Sequence, residues 1–377
     1  MANRILQFGT SRFLQAHADF FVLEARIAGQ DIGPITVVKT TVGGTREGRV
    51  AALSNPAGFP VRLRGYRSGE LIDETTQVTS VNRALDANTQ WPEIKKIFAD
   101  ETEIVISNVG EAGYELSGDD EKISAFDQTA PKSFPLKLAA LLVYRFKTSG
   151  KPLLVLPCEL ASQNGQKLRQ LVLNLTKDVP EGEGFKAWLT TSVTFCDTLV
   201  DRIVSEAIEP IGAIGEPYGL WAIEREPGLI EPLQHPCIVY TNDLEPYLRL
   251  KLHILNLGHT FLAEIWQTEN RAKDETVREL LKDQSVKSRL MALYNDEILP
   301  GFAAHNMVAA ATDYVKTTVE RFENPFLNHQ LSDIAQNHAQ KIERRMVDFI
   351  TWTGVKNPAL NFTLLRRVVE KNGMQPA

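Results

Sequence analysis

The sequence predicts an α/β protein in which an N-terminal doubly wound parallel-sheet domain, residues 1–240, is followed by a mostly α-helical domain, residues 241–377. Three observations predict it. Short apolar runs alternate with stretches of helical spacing through the first half of the chain. After about Tyr240 the alternation gives way to helical periodicity, nearly unbroken from Leu248 onward. The chain has 377 residues, more than one core usually serves, so two domains are expected.

In order, Ile5-Leu6-Gln7-Phe8 is an apolar strand stopped by Gly9, and Phe13, Leu14, Ala16, Phe20, Phe21 and Leu23 then recur at helical spacing between Ser11 and about Gly29. Ile35 to Val38 is a second strand. Pro60 to Arg64 and Thr76 to Thr79 alternate like half-buried strands around a turn. A helical stretch from Trp91 to Phe98 leads into Glu103 to Asn108, a buried parallel strand. Ser117 to Pro131 is polar and loop-like, Phe134 to Phe146 is helical, and Lys151 to Leu156 is a strand. In the C-terminal domain, loops are expected near Pro300 and Asn324-Pro325.

Composition is that of an ordinary globular protein, 43% hydrophobic and 23% charged. A net charge of -6 without a Lys/Arg block excludes the electrostatic footprint of a nucleic-acid binder, so small-molecule partners are expected. Cys158, Cys196 and Cys237 are too few and too widely spaced for a disulfide framework or a CxxC site, and they read as reduced thiols. No apolar run approaches the roughly 18 to 20 residues of a membrane span, and Met1-Ala2-Asn3-Arg4 runs straight into a strand without a signal-peptide core. A cytoplasmic monomer or small homo-oligomer is the expectation.

Gly9-Thr10-Ser11-Arg12-Phe13 sits between the first strand and the first helix. In a Rossmann-like domain, free backbone N–H groups and a helix dipole attract a dinucleotide pyrophosphate there. A GxGxxG fingerprint would ask for glycine at 11 and 14, where this chain has Ser11 and Leu14. A ligand-free strand-to-helix turn is therefore the competing reading. The second strand ends in Val38-Lys39-Thr40-Thr41, with no carboxylate before Glu47 to meet the ribose of NAD. Lys39 and Arg46 are placed to face the 2′-phosphate of NADP instead, so both nicotinamide cofactors stay open. Asn108 and Glu111, at the carboxyl end of a core strand, are candidates to touch the nicotinamide.

The segment Lys251-Leu252-His253-Ile254-Leu255-Asn256-Leu257-Gly258-His259 carries the chemistry. On an α-helix, Lys251, Asn256 and His259 fall at roughly 0°, 140° and 80° at about 100° per residue, so an amine, an amide and an imidazole can converge on one ligand. His253 faces elsewhere. An amphipathic helix with ordinary polar residues on its wet side is the alternative.

This K-x4-N-x2-H spacing resembles the signature of the polyol-specific long-chain dehydrogenase family, which includes mannitol dehydrogenase and the fructuronate and tagaturonate reductases. The stretch from Gly9 to His17, Glu111-Ala112-Gly113-Tyr114, Asn164-Gly165 and Val200-Asp201-Arg202-Ile203 are similar to family motifs as well. Ser133-Phe134-Pro135, Leu156 to Leu160, Glu216-Pro217, Arg321 to Leu331, Asp333-Ile334-Ala335 and Lys341 resemble the tagaturonate (altronate) reductase branch.

The resemblance implies an NAD- or NADP-dependent oxidoreductase interconverting a keto-sugar acid and its secondary alcohol. Lys251 would be the acid/base, Asn256 the donor to the reacting oxygen and His259 the orienting group, with Asn164 and Lys341 binding substrate. A lysine desolvated beside a cofactor has its pKa drawn towards the working pH, which suits that role. No Cys/His spacing suggests zinc, so metal-independent chemistry is expected. Two family positions differ. Glu159-Leu160 stands where mannitol dehydrogenases carry Asp-Asn, and Leu248 where some relatives carry a proton-exit glutamate. A mannitol-like polyol 2-dehydrogenase is the alternative reading, and Ser11, Leu160 and the short C-terminal part keep open an inactive nucleotide-binding homologue.

Overall fold

The computed structural model describes residues 4–41, 48–110, 113–116 and 129–375. In chain order its strands are β1 (Ile5–Phe8), β2 (Ile35–Lys39), β3 (Phe59–Arg67), β4 (Glu70–Val78), β5 (Val81–Asp86), β6 (Ile104–Ser107), β7 (Leu153–Pro157), β8 (Val193–Phe195), β9 (Thr198–Asp201), β10 (Val204–Ala207), β11 (Ala213–Gly215), β12 (Leu220–Glu224) and β13 (Ile238–Thr241). Six of them form an all-parallel sheet in the order β5-β2-β1-β6-β7-β8. Numbered among themselves these strands run 3-2-1-4-5-6, the order of a doubly wound dinucleotide-binding sheet. β1 and β6 are buried along their whole length, as strands covered by helices on both faces must be.

One face of the sheet packs Phe20, Phe21, Val22 and Leu53 against Ile5, Ile35 and Ile106. The other packs the helices Trp91–Asp100 and Phe134–Thr148 against Leu6, Val105 and Val155. β5 went unread in the sequence, although it adds the third strand of the Rossmann order. A smaller sheet, β13-β12-β9, and a four-stranded one, β10-β11-β3-β4, complete the strand inventory among the described residues. The helix expected from Ser11 to Gly29 is divided into Arg12–Ala16 and Ala18–Ile27. At the break His17 leaves helical geometry (φ −122°, ψ −93°), and its Nε2 lies 2.9 Å from the Leu220 carbonyl, with the ring against Phe13, Phe21 and Trp221.

The chain divides into two compact units, one of residues 1–63, 74–215 and 219–244, the other of 64–73, 216–218 and 245–377. The second is helical from Glu245 to Lys371 and has its own apolar core around Leu257, Leu262, Tyr294, Phe302 and Phe349. The buried pair Arg321–Glu216, at 2.8 Å, ties the 216–218 segment into that unit. Among the described residues no helix is long and apolar enough to cross a membrane.

Candidate active site

In the first unit the strand order reverses between β1 and β6, and open parallel sheets bind ligands beyond the carboxyl ends of such strands. Gly9 follows β1 with φ +110°, and its N–H donates to Val38 O at 3.0 Å. A Cβ there would stand 2.4 Å from the Asn108 carbonyl, so only glycine lets these backbones approach. Ser11, where the fingerprint has glycine, caps the Arg12–Ala16 helix by accepting from Leu14 N at 3.3 Å. Its Oγ also donates to Asn108 Oδ1 at 3.1 Å. Asn108 Nδ2 donates to Cys158 O at 2.7 Å, so the turns after β1, β6 and β7 are joined through one side chain.

The Thr10 carbonyl accepts from Gln15 Nε2 at 3.2 Å and from Arg49 Nη2 at 2.7 Å. Arg49 is a cation at this turn that no sequence signal disclosed. Arg12 is exposed, and the Phe13 ring stacks on His17 at 4.7 Å. Lys39 pairs with Asp86, at the end of the neighbouring β5, at 2.8 Å. Burial works against the Asp86 charge, but Lys39 and Asn88 outweigh it and hold the carboxyl below its usual range. Glu111, Arg46 and Glu47 lie outside the described residues.

Glu159 is buried after β7, accepting from Ser107 Oγ at 2.9 Å, Val109 N at 3.1 Å and the Tyr114 hydroxyl at 3.3 Å. Burial pushes its carboxyl pKa up, against the pull of those donors. Asn164, expected to bind substrate, is 1% exposed and engaged throughout. Its Nδ2 donates to Pro157 O, Glu159 O and Thr198 O at 3.0 to 3.1 Å, and its Oδ1 accepts from Gly165 N and Thr198 N at 2.9 Å. No donor or acceptor is left for a ligand, so Asn164 acts as a pin between β7, the helix Asn164–Leu175 and β9.

The second unit holds the K-x4-N-x2-H segment. Lys251–Asn256 is π-helical and continues into the α-helix Leu257–Thr268. A turn closed i→i+5 holds more residues than an α-turn, so each advances by less, roughly 80–90°. That moves Asn256 and His259 closer to the direction of Lys251 than α-helical spacing allows. Lys251 and Asn256 are half-buried, whereas His253 and His259 are buried.

Two further π-helical turns, Leu293–Ile298 and Glu343–Val347, pack on this one and satisfy its polar groups. The Tyr294 hydroxyl donates to Ile254 O at 3.0 Å. His253 Nδ1 lies 3.1 Å from Arg345 O, and its Nε2 lies 2.9 Å from Arg249 Nη1 and 3.3 Å from Asp348 Oδ2. Arg345 Nη1 returns a bond to Asn256 O at 3.0 Å and a second to Thr260 Oγ1 at 2.8 Å. His253 is therefore a structural residue.

His259 packs its ring on Phe322 at 4.4 Å and edge-on to His329 at 4.8 Å. Burial holds its pKa well below the usual imidazole value, and His329, Arg345, Arg321 and Lys341 act in the same direction. His329 is lowered too, by burial and then by Lys341, against Asp333. Burial therefore disfavours the charged form of both rings. The Lys341 ammonium donates to Ile334 O at 2.7 Å, and burial with Arg345 nearby lowers its pKa. The structure thus gathers Asn256, His259 and Lys341 with two residues the sequence did not single out, His329 and Arg345.

Residues 3–233 match the family model described as the mannitol dehydrogenase Rossmann domain, and residues 243–369 match the mannitol dehydrogenase C-terminal domain. The chain belongs to the mannitol dehydrogenase family. As a member of it, the protein is an oxidoreductase acting on CH–OH groups of sugar acids or polyols. It is 31% identical over 403 residues to the altronate oxidoreductase of Halalkalibacterium halodurans, covering 100% of this chain and 76% of that one. To the altronate oxidoreductase of Bacillus subtilis it is 30% identical over 369 residues, covering 91% and 73%. Among solved structures, D-sorbitol dehydrogenase in substrate-free form superposes with a TM-score of 0.78 at 18% identity, over 93% of this chain and 76% of that one. Pseudomonas fluorescens mannitol 2-dehydrogenase, in a ternary complex with NAD and D-mannitol, gives 0.72 at 19%, over 98% and 78%. These two likenesses speak for the mannitol dehydrogenase fold.

Proposed function

We propose that the protein is an NAD-dependent reductase of a keto-hexuronate, of the altronate oxidoreductase type, with Lys251 as acid/base. The observation that carries the reading is the Lys251, Asn256 and His259 set on one π-to-α helical segment, in a chain 31% identical along its whole length to an altronate oxidoreductase. When bound, the nicotinamide supplies hydride to the carbonyl carbon in reduction and takes it back in oxidation. Lys251 gives its proton to the carbonyl oxygen as reduction proceeds, and in oxidation takes the hydroxyl proton. Asn256 donates to that oxygen while its charge develops. His259, whose charged form burial disfavours, orients the substrate by hydrogen bonding.

A cofactor at the Gly9 turn of the first unit is supported by the place of that turn, at the carboxyl end of β1 where the order of the parallel sheet reverses. Ser11 and Thr10 would line it with Arg12, Phe13 and Asn108. Lys39 bears on the choice between cofactors: its ammonium is neutralised by Asp86, which removes a cation that a 2′-phosphate would need and favours NAD. Lys341 favours a sugar acid over a neutral polyol, because it has a hydrogen bond to a carbonyl and no carboxylate partner among the described residues.

The test is a panel of keto-hexuronates and neutral ketohexoses read by NADH absorbance, together with Lys251→Ala. Turnover of a keto-hexuronate is expected, with the variant slower by roughly 10²- to 10⁴-fold and its NADH affinity nearly unchanged. Preference for a ketohexose would reassign the protein as a polyol dehydrogenase. Comparable activity in the variant would end the role given to Lys251.

A further inference from the structure

We propose that Arg345 recognises the terminal carboxylate of the substrate, gripping it through Nε and Nη2 while Nη1 stays fastened to the helical segment that carries Asn256 and His259. The inference rests on the sugar-acid reading above. It starts from a count of donors. A guanidinium has five N–H groups in a planar fork. Here Nη1 serves the Asn256 carbonyl and the Thr260 hydroxyl, and Nε and Nη2 make no hydrogen bond among the described residues. No carboxylate among the described residues pairs with the group either. Other arginines of the same unit do pair: Arg249 with Glu245 and Asp348, Arg271 with Glu275 and Asp283, Arg321 with Glu216.

A half-buried cation without a counter-ion is costly, and that cost is recovered where an anion arrives to complete the pair. Burial, with Arg344 adding to it, lowers the Arg345 pKa to about 10, so the group is still charged at neutral pH. Lys341 stands four residues earlier, at the spacing that puts side chains on one helical face, and it too lacks a carboxylate. Two like charges at that spacing repel unless an anion lies between them. Arg345 holds the Asn256 carbonyl and the hydroxyl of Thr260, the residue after His259, which places it beside the segment of the proposed substrate-orienting ring. The vacant Nε–Nη2 edge has the two parallel donors that a carboxylate accepts, and lysine cannot present that pair.

The test separates recognition from a purely structural clamp on the π-helical turn. Arg345→Lys keeps a cation able to reach Asn256 O and removes the fork. Arg345→Gln, which keeps a donor without charge, replaces it if the lysine variant does not fold. We expect a KM for the keto-hexuronate raised roughly 10- to 100-fold with kcat within a few-fold, and an unchanged KM for the matching neutral ketohexose. A wild-type preference for the ketohexose would overturn the sugar-acid reading and this inference with it. A wild-type preference for the acid, with the variant losing equally on both substrates or on neither, would overturn the assignment of Arg345 alone.

Discussion

The Tyr294 hydroxyl occupies the place a side chain on Gly258 would take, 2.0 Å from where a Cβ would sit, and from there it donates to Ile254 O at 3.0 Å. The glycine in Asn256-Leu257-Gly258-His259 is thus there for the tyrosine, and the tyrosine for the carbonyl of the widened turn.

Gly258→Ala should therefore overpack a site that has no room to give. Overpacking of this kind costs about 1–3 kcal/mol and displaces the turn bearing Asn256, so the melting temperature and kcat should fall together. Adding Tyr294→Phe removes the obstructing oxygen, and the double variant should recover part of the melting temperature. If it recovers nothing, the steric account is wrong.

At the other end of the chain, Gly9→Ala forces both a left-handed φ and a collision with the Asn108 carbonyl. A stability loss of roughly 1–3 kcal/mol is expected, with a weakened NADH titration measured by fluorescence. Unaltered NADH binding in a folded variant would move the cofactor away from this turn.

Asn164→Ala leaves the N–H groups of Gly165 and Thr198 and several carbonyls buried without their partner. The cost should be about 3 kcal/mol or more in denaturant unfolding, with KM for substrate unchanged in the folded fraction. A raised KM at full stability would restore Asn164 as a substrate ligand.

The pH dependence follows from His259. Its folded-state pKa lies below the unfolded value of about 6.5, so the unfolded chain takes up the proton first as pH falls. Its contribution to stability is complete above that value and is lost below it, by up to about 1.4 kcal/mol per pH unit. His259→Gln should flatten the decline in melting temperature between pH 7.5 and 5.5 relative to wild type. Parallel curves for the two proteins would mean that the ring is not held neutral.

The family and the alternation of strand and helix were open to sequence reading because both rest on local patterns. β1, β2, β6 and β7 announce themselves as apolar runs, and Gly9 as the stop between strand and helix. K-x4-N-x2-H keeps its spacing whatever surrounds it. β5 was missed because Val81-Asn82-Arg83-Ala84-Leu85-Asp86 carries polar residues among its apolar ones, and with it went Asp86, the partner of Lys39.

Other features exist only in the folded chain. Asn164 reads as a candidate ligand until Thr198, 34 residues away, is seen to occupy its amide. No periodicity marks Lys251–Asn256 as π-helical, because a widened turn forms where outside groups, here Tyr294 and Arg345, take up its carbonyls. Arg345 lies 89 residues from Asn256, and nothing in the order of residues brings them together. Periodicity and spacing are properties of neighbours along the chain, and from them the sequence alone determined the alternating half and the helical half, while the family resemblance supplied Lys251 as candidate acid/base. Which donors are already engaged, and which remain open to a ligand, depends on contacts between distant segments, and that was decided by tertiary packing.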